Sequence, residues 1–140
     1  MKQYTLIPQE KDNYCVCSIL QAILDRHGAA ISQSDIAAHL TPSKHGFQVD
    51  DEKIRQFLQR HGFSYTHYRG NEVPFNEPDL FLQELHNHDG IIGIKMHAYL
   101  LQAFDGSAVD LIDPKDKKIV TEDYYEMVSK AGFYGLLKIG

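Results

Sequence analysis

Apolar positions recur along this chain in two rhythms, one helical and one strand-like. Val16, Ile19, Leu20, Ile23 and Leu24 follow the i, i+3, i+4, i+7, i+8 spacing of a buried helical stripe. Asp12 or Asn13 can cap the start of that helix, and Gly28 can end it. Ser32 can cap a second, shorter helix carrying Ile36, Ala37 and Leu40. Asp50 or Asp51 opens a third, with Ile54, Phe57 and Leu58 on one face and Gly62 as its stop. Pro78 to Leu85 reads as one further turn or two, and Arg69–Asp79, with Pro74 and Pro78, as a mobile loop. In the second half, Phe63–Tyr68 and Ile91–Lys95 are rich in β-formers or apolar residues. Ala98–Phe104 and Ala108–Ile112 flank Asp105-Gly106-Ser107, a hairpin signal, and Phe133–Ile139 reads as a last strand. Helices first and antiparallel strands second predict an α+β domain, its helical half packed against a sheet. No repeat or linker interrupts residues 1–140, which read as one domain.

Composition narrows the function. With 43% of its residues hydrophobic, the chain can fill a core. The formal net charge is −5 with both signs scattered and no basic stripe, so nucleic acid is not an expected partner. The first residues lack the charged start and apolar run of a signal peptide, and the longest apolar stretches are too short to span a bilayer. Cys15 and Cys17 are separated by one residue, where a bridge would be strained. That suits a reducing compartment and a cytoplasmic location.

The candidate chemistry begins at Cys15, in the first turn of the strongest helix. Unpaired N–H groups and the helix dipole there favour an anion, so the thiol is expected to have a lowered pKa. At about 100° per residue, Cys15 and Cys17 project to opposite flanks of the apolar stripe, so one can face a cleft while the other packs. Gln9, six residues earlier, could join the Cys15 backbone N–H in an oxyanion hole. His97 opens a strand, and Asp113 follows the return strand, just before Pro114. Whether they share a face depends on the hairpin: a three-residue loop puts them diagonally together, a two-residue loop does so only with a bulge. If they meet, Asp113 can orient the His97 ring as in a nucleophile–base–orienter triad. Singly, a helical cysteine is usually core, and His97, Gln9 and Asp113-Pro114 are ordinary surface or turn residues. The four in this order carry the signal together. Cys15-x-Cys17 and His86-x-His88 lack the spacing of zinc modules, so neither a metal nor another cofactor is expected.

Gln9, Cys15, His97 and Asp113-Pro114, with the closing run Ala131 to Ile139, resemble the bacteriocin-processing cysteine peptidases. This is a papain-like family often found at the N-terminus of ABC exporters of peptides with double-glycine leaders. The resemblance covers nearly the whole chain. It implies a papain-like fold and cofactor-free cleavage after a Gly-Gly or Gly-Ala pair. It also implies a leader-peptide substrate whose amphipathic helix docks on a shallow apolar surface beside the cleft, and a place at the inner face of a membrane if the chain is part of an exporter. That family carries small residues around its nucleophile, whereas Tyr14 and Val16 flank Cys15 here. Two other functions remain open: a peptide-binding domain without catalysis, and an acyl or amide transferase using the same Cys-His-Asp set.

Overall fold

The computed structural model describes residues 2–44, 49–69, 83 and 87–140. Helix α1 spans Cys15–Arg26, α2 Gln33–Leu40 and α3 Asp51–Arg60. Ser32 and Asp50 cap α2 and α3 as expected, accepting from the backbone N–H of Asp35 and Glu52. The cap of α1 differs from expectation: its N-cap position is Tyr14, whose side chain makes no capping hydrogen bond. The first-turn N–H groups face the Cys15 end of the helix. Gly28 and Gly62, both at positive φ, follow the last turns of α1 and α3. The expected turn at Pro78–Leu85 and loop at Arg69–Asp79 fall almost entirely outside the described residues.

Six strands form one antiparallel sheet: β1 (Tyr65–Arg69), β2 (Asp89–Ile94), β3 (His97–Phe104), β4 (Ala108–Ile112), β5 (Ile119–Asp123) and β6 (Phe133–Ile139). Their spatial order is β1-β6-β2-β3-β4-β5. A short helix α4, Tyr124–Ser129, joins β5 to β6. Neither β5 nor α4 stands out in the apolar pattern.

The sheet is buried on both faces. On one, α1 packs against Ile91, Ala98, Leu100, Ile112, Leu137 and Ile139. On the other, Tyr124 and Met127 of α4 close over Ile92, Ile94, Leu101, Val109, Leu111 and Leu136. Double coverage explains why β2 is buried at every position and shows no alternation. Nine of the twelve α1 residues are buried, so both flanks of its stripe lie inside and Cys15 and Cys17 are both enclosed free thiols.

The chain from Lys2 to Tyr14 lies along the domain. Asp89 at the start of β2 is 2% exposed and receives the Tyr4 hydroxyl, Arg26 Nη1 (3.4 Å) and His27 Nε2 (2.8 Å). A buried carboxylate needs such partners, and these tie the N-terminal segment and the end of α1 to the sheet. Among the described residues, no helix is long and apolar enough to cross a membrane.

Candidate active site

The β2–β3 hairpin delivers His97. Ile94 pairs with His97 across a two-residue turn, Lys95-Met96, with both φ angles positive (50° and 63°). Such a turn matches the strand twist, and non-glycine residues in it store roughly 1 kcal/mol or more each. Lys95 N–H donates to Gly132 O at 2.8 Å, which helps hold the turn in that shape.

The β3–β4 hairpin delivers Asp113. Phe104 pairs with Val109, yet Leu101 pairs with Leu111 and Leu100 with Ile112, so a bulge lies between Leu101 and Ala103. The bulge sets the parity that brings His97 and Asp113 to one face. His97 Nε2 donates to Asp113 Oδ1 at 2.8 Å. The carboxylate is itself fixed by a tight turn. Lys115 N–H donates to the same Oδ1 at 2.9 Å, Asp113 N–H donates to Lys118 O, and Lys117 N–H donates to Asp113 O. With Nε2 committed to Asp113, the His97 tautomer leaves Nδ1 as the ring nitrogen able to accept a proton.

Cys15 heads α1, which packs on β3, and its thiol lies against the backbone of Ala98, the residue after His97. It also feels the Asp113 charge. Its acidity departs from expectation. Burial pushes the thiol up, and Asp113 adds to that, although the N–H groups of Ala98, Val16 and Cys15 pull it down. The helix N-terminus acts in the expected direction, but desolvation outweighs it. Burial pushes Cys17 further, to about 12, as suits an inert core thiol.

Gln9 lies on the same side of the site. Its backbone N–H donates to Pro114 O at 2.8 Å, stapling the loop before α1 to the Asp113 turn. Its side-chain amide turns inward: Nε2 donates to Lys11 O (3.1 Å) and Asp12 O (3.0 Å). Oε1 is buried without a partner. Both donor hydrogens are thus used within the loop, so donation to a substrate oxyanion requires the amide to turn.

Two polar side chains that position this loop went unnoticed in the sequence. Gln33, fully buried, accepts from Glu10 N–H at 2.9 Å, and its Nε2 approaches Ile7 O (3.1 Å), Pro8 O (3.1 Å) and Gln21 Oε1 (3.0 Å). Ser18, on the buried face of α1, donates to Ile7 O at 2.6 Å. A serine inside the apolar stripe is a weak signal for such a role. Gln33, at the start of α2, carries none. Among the described residues no group of three or more His, Cys, Asp or Glu side chains could hold a metal, and Cys15 and Cys17 lie within the helix-facing core.

No family model matches the chain, and no curated protein matches it. Solved structures do share its fold. A double glycine motif protease from an AMS/PCAT transporter, solved with its leader peptide, superposes with a TM-score of 0.72 at 17% identity, covering 98% of this chain and 92% of the other. The peptidase domain of Streptococcus ComA, a bi-functional ABC transporter of a quorum-sensing pathway, gives 0.73 at 19% identity over 99% and 97%. The Streptococcus mutans ComA peptidase domain bound to a small-molecule inhibitor gives 0.61 at 18%, over 98% of each chain. The α+β class with a helical half against an antiparallel sheet is therefore the fold of these transporter peptidase domains.

Proposed function

We propose that this protein is a cysteine peptidase that cleaves after a double-glycine-type leader of a secreted peptide. The observation that carries the reading is the meeting of three elements: the Cys15 thiol at the head of α1, Ala98 beside it, and the 2.8 Å His97–Asp113 bond. The likeness of fold to double-glycine peptidase domains supports the choice of substrate class.

His97 Nδ1 takes the thiol proton, and the sulfur attacks the carbonyl carbon of the second glycine. Asp113 holds the ring and stabilises its charged form. The Cys15 N–H, joined by Gln9 once its amide turns, binds the oxyanion. His97 then protonates the leaving amine, and water, deprotonated by the same ring, releases the acyl group. Burial raises the Cys15 thiol, so in this reading forming the thiolate depends on His97 taking the proton. A substrate with its leader, an exporter partner and a site at the inner membrane face belong to this reading.

One observation favours a second reading, a peptide-binding domain without turnover: the enclosed, weakly acidic thiol with the Gln9 amide turned away. Synthetic peptides with a leader ending in Gly-Gly, followed by mass spectrometry, separate the two. Peptidase action requires cleavage after the pair by wild type and by Cys17→Ala, and none by Cys15→Ala. Binding of the peptide without cleavage by wild type would establish the second reading.

A further inference from the structure

Strand β5 ends the sheet, and among the described residues no strand pairs with its outer edge. It carries two apolar side chains in the open, Ile119 at 58% exposure and Val120 at 36%. The direction of its backbone groups follows from β4. Asp113 N–H donates to Lys118 O at 2.9 Å, and Tyr124 N–H donates to Ser107 O at 2.8 Å. Facing residues of an antiparallel ladder alternate between bonded and non-bonded pairs. With Leu111 opposite Val120 and Asp110 opposite Thr121, residues 118, 120 and 122 therefore turn their N–H and C=O groups toward β4, while Ile119 and Thr121 turn theirs outward. Such an edge is a template for one more strand.

We propose that the outer edge of β5 binds a second copy of this chain, the two β5 strands running antiparallel about a two-fold axis at Val120. Charge chooses the occupant and the register. The run Lys118-Ile119-Val120-Thr121-Glu122 is antisymmetric in charge about its middle residue. Turned on itself, it sets Lys118 opposite Glu122 on both sides of the axis, whereas an axis at Ile119 or Thr121 sets Val120 opposite Lys118 or Glu122. Backbone parity agrees. Ile119 falls opposite Thr121, both with outward groups, so each such pair exchanges two hydrogen bonds. Lys118 and Glu122 then face each other in non-hydrogen-bonded pairs, where side chains come closest. The side chains are placed for this. Lys118 is 81% exposed with Asp116 4.0 Å away, so it can reach across. Lys130 Nζ holds Glu122 Oε1 at 2.5 Å, which fixes the carboxylate and leaves Oε2 for the incoming lysine. A lysine on an edge strand usually keeps other strands away. Here it turns away strands that lack an acid at the matching place and admits its own copy. The contact is isologous and closes at two copies. It is also short, so the dissociation constant should be on the order of 100 µM. The proposal does not depend on the peptidase reading.

Sedimentation equilibrium of the chain, up to about 1 mM, tests it. The expected result is a monomer–dimer equilibrium that weakens in ~1 M salt, which screens exposed ion pairs. Lys118→Glu sets acid against acid in both pairs and should raise the dissociation constant about tenfold or more. Glu122→Lys sets base against base and should do the same. An equimolar mixture of these two variants should associate again as mixed dimers, because every contact regains opposite charges. Thr121→Pro removes an N–H that β4 does not use, in a position where an edge strand tolerates proline, and should also weaken the dimer. Lys118 is exposed, so Lys118→Glu is compatible with folding and decides the matter even if Glu122→Lys, which loses Lys130 as well, does not fold. A monomer at every concentration would overturn the proposal. So would a dimer that neither Lys118→Glu nor Thr121→Pro weakens, or an assembly that grows beyond two copies.

Discussion

Gln33→Leu tests how the loop before the nucleophile is held. Gln33 is fully buried, and its amide serves Ile7 O, Pro8 O, Gln21 Oε1 and Glu10 N–H. Leucine keeps the volume and removes every one of these contacts. Ile7 O keeps its bond from Ser18, and Glu10 is an exposed residue whose N–H can turn to water, so part of the loss is recovered. If one or two groups stay unpaired, at roughly 1–3 kcal/mol each, the expected loss is about 2 kcal/mol. With a urea m-value of about 1–3 kcal/mol/M, the unfolding midpoint should fall by about 1 M with m unchanged. Gln33→Glu is the informative companion. It keeps the acceptor for Glu10 N–H but turns an acceptor-only carboxylate toward three oxygens, so it should destabilise at least as much as leucine. Gln9 sits between the tethered residues, so peptide cleavage should fall in both variants under conditions where they remain folded. A midpoint within about 0.2 M of wild type for Gln33→Leu would refute the claim that these bonds hold the loop.

Two further predictions concern the carboxylates. Asp113→Asn keeps an oxygen that can accept from His97 Nε2, so the ring keeps its tautomer but loses its counter-charge. In steady-state assays kcat should drop, but by less than the ~10⁴-fold seen when a triad loses the tautomer as well, and wild-type rates would reject a role for Asp113. Asp51 receives Tyr65 Oη at 2.7 Å and His67 Nδ1 at 2.6 Å; burial would raise its carboxyl, but these bonds outweigh it and hold the pKa below the ordinary value. A depressed folded value means stability that is present above the unfolded pKa and lost as pH falls through the folded one. Thermal unfolding should therefore show Asp51→Asn less stable than wild type near pH 7, with the gap closing below pH ~4 as the wild-type carboxylate protonates. A gap that stays constant down to pH ~2 would contradict this linkage.

Much of the architecture was legible because it is locally encoded. Helical spacing marked α1 to α3, Ser32 and Asp50 announced two caps, and Asp105-Gly106-Ser107 marked the β3–β4 hairpin. The Asp105 side chain accepts from the N–H groups of Ser107 and Ala108, so this turn is stabilised by its own residues. Strand β5 escaped notice because it is an edge with exposed Ile119 and Val120, and α4 because six residues with only Tyr124 and Met127 buried carry no helical period. The order Gln9, Cys15, His97, Asp113 was visible in the chain, and so were the two ways in which His97 could meet Asp113. The bulge that chose between them depends on how β3 sits between two covered faces. The sequence alone thus determined α1 to α3 and every described strand but β5, since propensity, capping and periodicity act over a few residues. Tertiary structure decided the rest. Packing of α1 against β3 buried Cys15 until desolvation outweighed the helix N-terminus, and closure of the loop turned the Gln9 amide toward Lys11 and Asp12. Solvation and hydrogen-bond partners depend on groups distant in sequence, and no local pattern encodes them.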